Sequence, residues 1–244
     1  MQAVLYVGHG SRMEEAVTEA AAFMKETMKK IDYPIQEYCF LELASPSILE
    51  GIEICVQEGA SKIAVVPVLL LSAGHAKTDI PEEIDKASHY YPEIEFTYGC
   101  PLGVHPMMID ILVERMIETN PITTDMDIVI VARGSRDPDT VRDVKSIAHS
   151  LKRKLGVNSI EYCFLTAAHP RFEVKLKEMV TGGRKHVIIL PYLLFTGILI
   201  NEMKRYVNTL PLQSYQRVDM GNYLNGHPNL NRLLKKRIQE AVKM

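Results

Sequence analysis

The four cysteines, Cys39, Cys55, Cys100 and Cys163, include no pair at C-x-x-C spacing. This argues against a zinc ribbon, a thioredoxin-type motif and a local iron–sulfur ligand set. Cys39 and Cys163 lie inside apolar, strand-like runs and are expected to be small buried hydrophobes. Such cysteine usage suits a reducing cytoplasm. Charge of one sign is missing too: 28 Lys and Arg face 30 Asp and Glu, for a formal net charge of -2. The chain therefore has no global basic field for nucleic acid or an anionic membrane, and any attraction for an acidic ligand must be local. The longest apolar run, 63–71, contains Pro67 and falls short of the roughly 18 residues a spanning helix needs. It reads as a buried strand and the loop after it. The start, MQAVLYVGHGSR, turns polar after seven residues, too soon for a signal peptide. GHGSR is neither G-x-G-x-x-G nor a phosphate-binding G-x-x-x-x-G-K-[ST] loop, and no G-x-S-x-G or H-E-x-x-H occurs, so nucleotide binding, serine hydrolysis and zinc proteolysis lack support.

What is present is a repeat. VGHGSR at 7–12 recurs as VARGSR at 131–136, EYCFL at 37–41 as EYCFL at 161–165, and KIAVVPVLL at 62–70 as HVIILPYLL at 186–194. All three pairs share an offset of 124 residues, and YGCPLGVHP at 98–106 returns as MGNYLNGHP at 220–228. Chance matches do not keep order and register over a hundred residues, so the chain is a tandem duplication. With 244 residues it divides into units 1–122 and 123–244, the boundary falling in the polar, helix-breaking stretch at 119–127.

Each unit reads alike. Apolar runs at 3–7 and 128–131 end in a glycine turn. Ala16, Ala20, Phe23, Met24, Met28 and Ile31 then mark an amphipathic helix by their three-and-four spacing. A strand over 35–41, a helix opened by Ser45-Pro46, a strand over 63–68, a helix over about 80–90, a strand over 94–98 and a helix from Pro106 complete the unit. Strict alternation of strands and helices predicts an α/β fold: two tandem doubly wound parallel sheets, with the active-site cleft between the two domains.

In such sheets ligands bind beyond the carboxyl ends of the strands. There the first unit places His9 after strand one, Glu42 after strand two and His75 after strand three. The repeat acts as an internal control. At the common offset the three become Arg133, Thr166 and Leu199, whereas Gly10, Ser11, Arg12 and Pro67 match Gly134, Ser135, Arg136 and Pro191. The scaffold persists in both copies and the coordinating groups in one. His105 and His227 are shared, each before a proline at a helix start, and read as structural. His89, His149, His169 and His186 read as surface or helix-end residues.

The GHGSR turn, the strand ending in FLE and the segment PVLLLSAGHAKTDIP together resemble the class II tetrapyrrole chelatases, and more narrowly the sirohydrochlorin chelatases of siroheme and cobalamin synthesis. The resemblance covers both halves and matches that family's long form. Short forms hold one unit and pair as homodimers, so this chain resembles a fused pseudo-dimer and is expected to be a monomer. The resemblance implies a lyase-type enzyme with His9 and His75 as active-site histidines that hold the metal, and Glu42 beside them. It implies no tightly bound cofactor, because the divalent ion is itself a substrate. Some cobalt-inserting relatives carry a histidine-rich run or a C-terminal cysteine cluster, and their absence here favours Fe2+ over Co2+ or Ni2+.

Neutral imidazole suits these ions, and with an ordinary pKa of about 6.5 it also accepts protons near neutrality. A polycarboxylate macrocycle needs local positive potential, for which Arg12, Lys77, Arg133 and Arg136 are the candidates. Arg133, in the place of His9, would bind a substrate carboxylate or form an interdomain salt bridge. The competing reading is a carrier that binds metal or tetrapyrrole without turnover.

Overall fold

In the computed structural model, which describes residues 1–119, 126–157 and 159–244, the run QAVLYVG forms strand β1 (Gln2–Gly8) with every residue from Ala3 onward buried. Such unbroken burial is what a strand covered on both faces requires. Helix α1 (Glu14–Met28) follows and turns Ala16, Ala20, Phe23 and Met24 inward, as the spacing predicts. Then come β2 (Ile35–Phe40), α2 (Ile48–Gln57) and β3 (Lys62–Pro67). A single π-helical turn, His75–Asp79, leads into α3 (Ile80–Tyr90), β4 (Glu95–Tyr98) and α4 (Pro106–Thr119). The second copy supplies β5 (Met126–Ala132), α5 (Pro138–Leu155), β6 (Ile160–Phe164), α6 (Phe172–Thr181), β7 (His186–Tyr192), α7 (Ile198–Val207), β8 (Arg217–Met220) and α8 (Pro228–Ala241).

The two four-stranded sheets run β2-β1-β3-β4 and β6-β5-β7-β8, all pairs parallel. Strand order reverses between β1 and β3, and their register, Val7 opposite Pro67 and Gly8 opposite Phe40, brings the ends of β1, β2 and β3 to one edge. The same register recurs as Val131 opposite Pro191 and Ala132 opposite Phe164.

One local expectation is corrected. Helix α2 is not opened by Ser45-Pro46, a cis peptide bond. The Pro46 carbonyl instead accepts the Phe40 amide at 2.8 Å, extending the strand pairing. The helix starts two residues later, where Ser47 and Glu50 form a reciprocal capping box.

Compact units and sequence repeats cut the chain at different places. Residues 120–125 of the expected boundary lie outside those described. One unit comprises Met1–Gly103 with Pro228–Met244, the other Val104–His227. Helix α8 therefore completes the first unit: Arg237 donates to the Leu102 carbonyl at 2.8 Å and Asn231 to Thr27 Oγ1 at 2.8 Å. In the second unit Arg115, at the matching place on α4, donates to the Asn225 carbonyl at 2.5 Å.

Cys39, Cys55 and Cys163 are buried and Cys100 is exposed. Burial pushes the Cys55 and Cys163 thiols up to about 12 and raises the Cys39 thiol well above its ordinary value. The thiolate is the nucleophile. Ellman's reagent at pH 8 is thus expected to titrate one thiol per native chain, Cys100, and all four only after denaturation. Rapid reaction of more than one in the native protein would contradict this packing. Among the described residues no helix is long and apolar enough to cross a membrane.

Candidate functional site

His9 leaves the end of β1 in a turn that cannot form without glycine. Gly10 has φ +90°, and a Cβ there would lie inside contact distance of the Glu42 carbonyl oxygen. The close approach arises because the chain after β2 is stitched to the chain after β1. Leu41 N–H donates to the Gly8 carbonyl at 2.9 Å and Glu42 N–H to the His9 carbonyl at 3.1 Å. His9 and Glu42 are thereby fixed by backbone, and the His9 Nε2 to Glu42 Oε1 distance is 3.6 Å.

His75 reaches the same place from the other side of the switch in strand order. It opens the π turn, which the Ile80 N–H closes on the His75 carbonyl. Such turns are rare and concentrate at functional positions. Beneath it, the Tyr98 hydroxyl donates to the Ala76 carbonyl at 2.7 Å. Burial raises the Tyr98 pKa well above the ordinary phenol value, so that donor keeps its proton. The His9 and His75 rings are perpendicular with centroids 4.7 Å apart. One ligand atom from each of His9, Glu42 and His75 falls within 4.8 Å of the others.

Tautomers follow from the partners. His9 Nδ1 lies 3.1 Å from the Gly10 carbonyl and His75 Nδ1 2.5 Å from Asp79 Oδ2. Both partners accept, so in the neutral rings each Nδ1 carries the proton and each Nε2 presents a lone pair. Orientation of an imidazole through its second nitrogen is the usual support for a histidine that binds metal. Asp79 is a site residue that the strand-end argument did not pick out, although it lies in the segment with His75. The available signal was the four-residue spacing from His75, which puts both on one face of a helical turn. The Glu42 and Asp79 carboxylates beside the two imidazoles make a local environment that attracts a cation.

Of the candidate cationic groups, Arg12 and Lys77 are exposed on the segments that carry His9 and His75. Arg133 and Arg136 belong to the second unit, exposed in the turn after β5. That turn is built as in the first unit: Gly134 has φ +90° and the Thr166 N–H donates to the Arg133 carbonyl at 2.7 Å. The chemistry has gone, however. The Thr166 hydroxyl donates to the Arg133 carbonyl at 2.9 Å, and Leu199 packs on the core of its unit from the first turn of α7. Of the histidines read as structural, His105 Nδ1 accepts the Met107 N–H at 3.2 Å, and His227 pairs with Glu114 at 2.7 Å.

The CbiX family model matches residues 3–119 and again 127–241. The chain is 47% identical over 243 residues to the sirohydrochlorin ferrochelatase of Priestia megaterium, covering 99% of this chain and 91% of that protein. It is 35% identical to the sirohydrochlorin cobaltochelatase of the same organism, covering 99% of this chain and 80% of that one. The solved structure of SirB from Bacillus subtilis with Fe3+ superposes with a TM-score of 0.89 at 41% identity, over 98% of this chain and 95% of that one.

Proposed function

This chain belongs to the CbiX family, and from that premise we propose that it inserts Fe2+ into sirohydrochlorin to give siroheme, as a monomer in the cytoplasm. The observation that carries the reading is the meeting of His9, Glu42 and His75 within 4.8 Å in one copy of a duplicated scaffold whose other copy has none of the three. Iron is favoured over cobalt because the ferrochelatase likeness is the stronger, 47% against 35% identity over nearly the whole chain.

Insertion strips water from the ion, places it in the ring and releases two pyrrole protons. The Nε2 lone pairs of His9 and His75, with a Glu42 oxygen, take the ion from water as a substrate in transit. Ligand atoms about 2.1 Å from a metal lie roughly 3–4 Å apart, so a set of three within 4.8 Å can close on one ion by small side-chain movements. Once the ion has passed to the ring, the same Nε2 atoms and the Glu42 carboxylate are the acceptors for the two protons. Asp79 keeps the His75 ring aimed and stabilises it when protonated. Arg12, Lys77, Arg133 and Arg136 hold substrate carboxylates, the second unit serving to hold substrate.

An anaerobic comparison of Fe2+, Co2+ and Ni2+ insertion into sirohydrochlorin and protoporphyrin, followed by the spectral change, tests this. Many turnovers per chain with sirohydrochlorin are expected, fastest with Fe2+. A single stoichiometric event would make the protein a carrier, and faster Co2+ insertion would reassign the metal.

Loss of a contact made equally in ground and transition states raises KM and leaves kcat. Arg133→Ala is therefore expected to raise the KM for sirohydrochlorin about tenfold, near the 1.5–3 kcal/mol of a hydrogen bond to a charged group, with kcat within about twofold. Steady-state kinetics at saturating metal decides it. A collapse of kcat at unchanged KM would show that the second unit shares in the chemistry.

A further inference from the structure

Immediately after Glu42 the chain holds a leucine where the backbone favours glycine. Leu43 has φ +61° and is 51% exposed. Ala167, its counterpart in the second unit, has φ +49°. The flanking bonds recur as well. Phe40 N–H to the Pro46 carbonyl, 2.8 Å, matches Phe164 N–H to the Pro170 carbonyl, 2.9 Å. Leu41 N–H to the Gly8 carbonyl, 2.9 Å, matches Leu165 N–H to the Ala132 carbonyl, 3.0 Å. The stitched loop thus imposes the left-handed conformation in both copies, whichever side chain stands there.

A residue with a Cβ is disfavoured in that region, and glycine or asparagine is the usual occupant. Core packing does not select leucine either: Leu41 and Leu49 nearby pack on the core of the unit, while half of Leu43 faces outward. Neither conformation nor burial accounts for a large apolar side chain here. It stands next to a proposed metal ligand, in the copy that has the ligands, and its counterpart is a single methyl. The backbone state is shared with Ala167 and belongs to the loop; the exposed leucine side chain is what the ligand-bearing copy alone adds there.

We propose that Leu43 is an apolar platform beside the metal ligands, which contacts the flat face of the tetrapyrrole as it receives the ion and sets the affinity for the macrocycle. This rests on the chelatase reading given above. The ligand surface it fits is the hydrophobic face of the conjugated ring, complementary to the carboxylate rim that the cationic side chains would hold.

Two full-length variants test the assignment. Leu43→Asn removes the apolar surface and is at ease with a positive φ; Leu43→Met keeps the surface. Sirohydrochlorin binding at equilibrium, followed by its absorbance without metal, is expected to weaken about tenfold in Leu43→Asn, the equivalent of burying half a leucine or more. Leu43→Met should stay within about twofold of the parent on the same scale. Binding of Co2+ alone and the melting temperature of Leu43→Asn should match or exceed those of the parent. Wild-type ring affinity in Leu43→Asn overturns the proposal. So does a lower melting temperature with weakened Co2+ binding, which would make Leu43 structural. If the parent binds the ring without metallating it, the chelatase reading fails, while the difference between Asn and Met still decides the role of Leu43.

Discussion

Alanine in place of His9 or His75 is expected to lower kcat for iron insertion by at least about a hundredfold while the protein stays folded. Each substitution removes an Nε2 lone pair that takes the ion and accepts a proton, and loss of a positioned acid–base group alone typically slows a reaction by 10²–10⁴. The fold does not depend on either ring. The His9 side chain is 24% and the His75 side chain 36% exposed, and both stand beyond the strand ends, outside the buried clusters that hold the sheet. Substitutions away from the core usually change stability by about 0.5 kcal/mol or less. His149→Ala, an exposed position on α5, is the control that should insert iron at the parent rate. The measurement is anaerobic turnover with sirohydrochlorin beside a Co2+ titration and a thermal melt. Near-parental turnover in both variants would remove the site assignment.

Much of this was legible in the residues because the signals are local. Buried parallel strands appear as unbroken apolar runs such as Ile63–Val66, and a doubly wound sheet brings the residues after its strands to one edge. That is enough to assemble His9, Glu42 and His75 without any contact information. The exchange of α4 and α8 between units was not legible, for a physical reason. Arg115 and Arg237 reach equivalent carbonyls, Leu224 and Leu102, from matching helix positions. Either helix could satisfy either loop, so the pattern in the chain is the same for both arrangements. Asp79 escaped because the π turn precedes the regular helix, where apolar periodicity has not begun. The start of α2 was misplaced because proline at a first helical turn and proline closing an extended bridge look alike until the carbonyl of Pro46 is seen to bind Phe40.

Gly10→Ala and Gly134→Ala should destabilise the protein by similar amounts and yet differ in function. Both glycines have φ +90°, and in both an added Cβ would drive into a backbone carbonyl, that of Glu42 or of Thr166. Backbone cannot rotate aside as a flexible side chain can. The left-handed conformation costs about 1–2 kcal/mol for a residue with a Cβ, and the displaced loop adds to it. A total near 3 kcal/mol for each variant, a fall of roughly 10 °C in melting temperature, is the expected scale. The functional consequence is asymmetric. In Gly10→Ala the loop that moves carries Glu42, whose amide is bonded to the His9 carbonyl at 3.1 Å, so Glu42 is displaced from the two imidazoles. In Gly134→Ala the moving residue is Thr166, which offers the ion nothing. Co2+ titrations well below the melting temperature of each variant should therefore show at least about tenfold weaker binding in Gly10→Ala, the lower end of what disturbing a metal site's supporting groups does, and parental binding in Gly134→Ala. If Gly10→Ala melts like the parent, the close approach to Glu42 does not constrain the turn. If Gly134→Ala loses Co2+ as fully as Gly10→Ala, the ion is not held by the first copy alone.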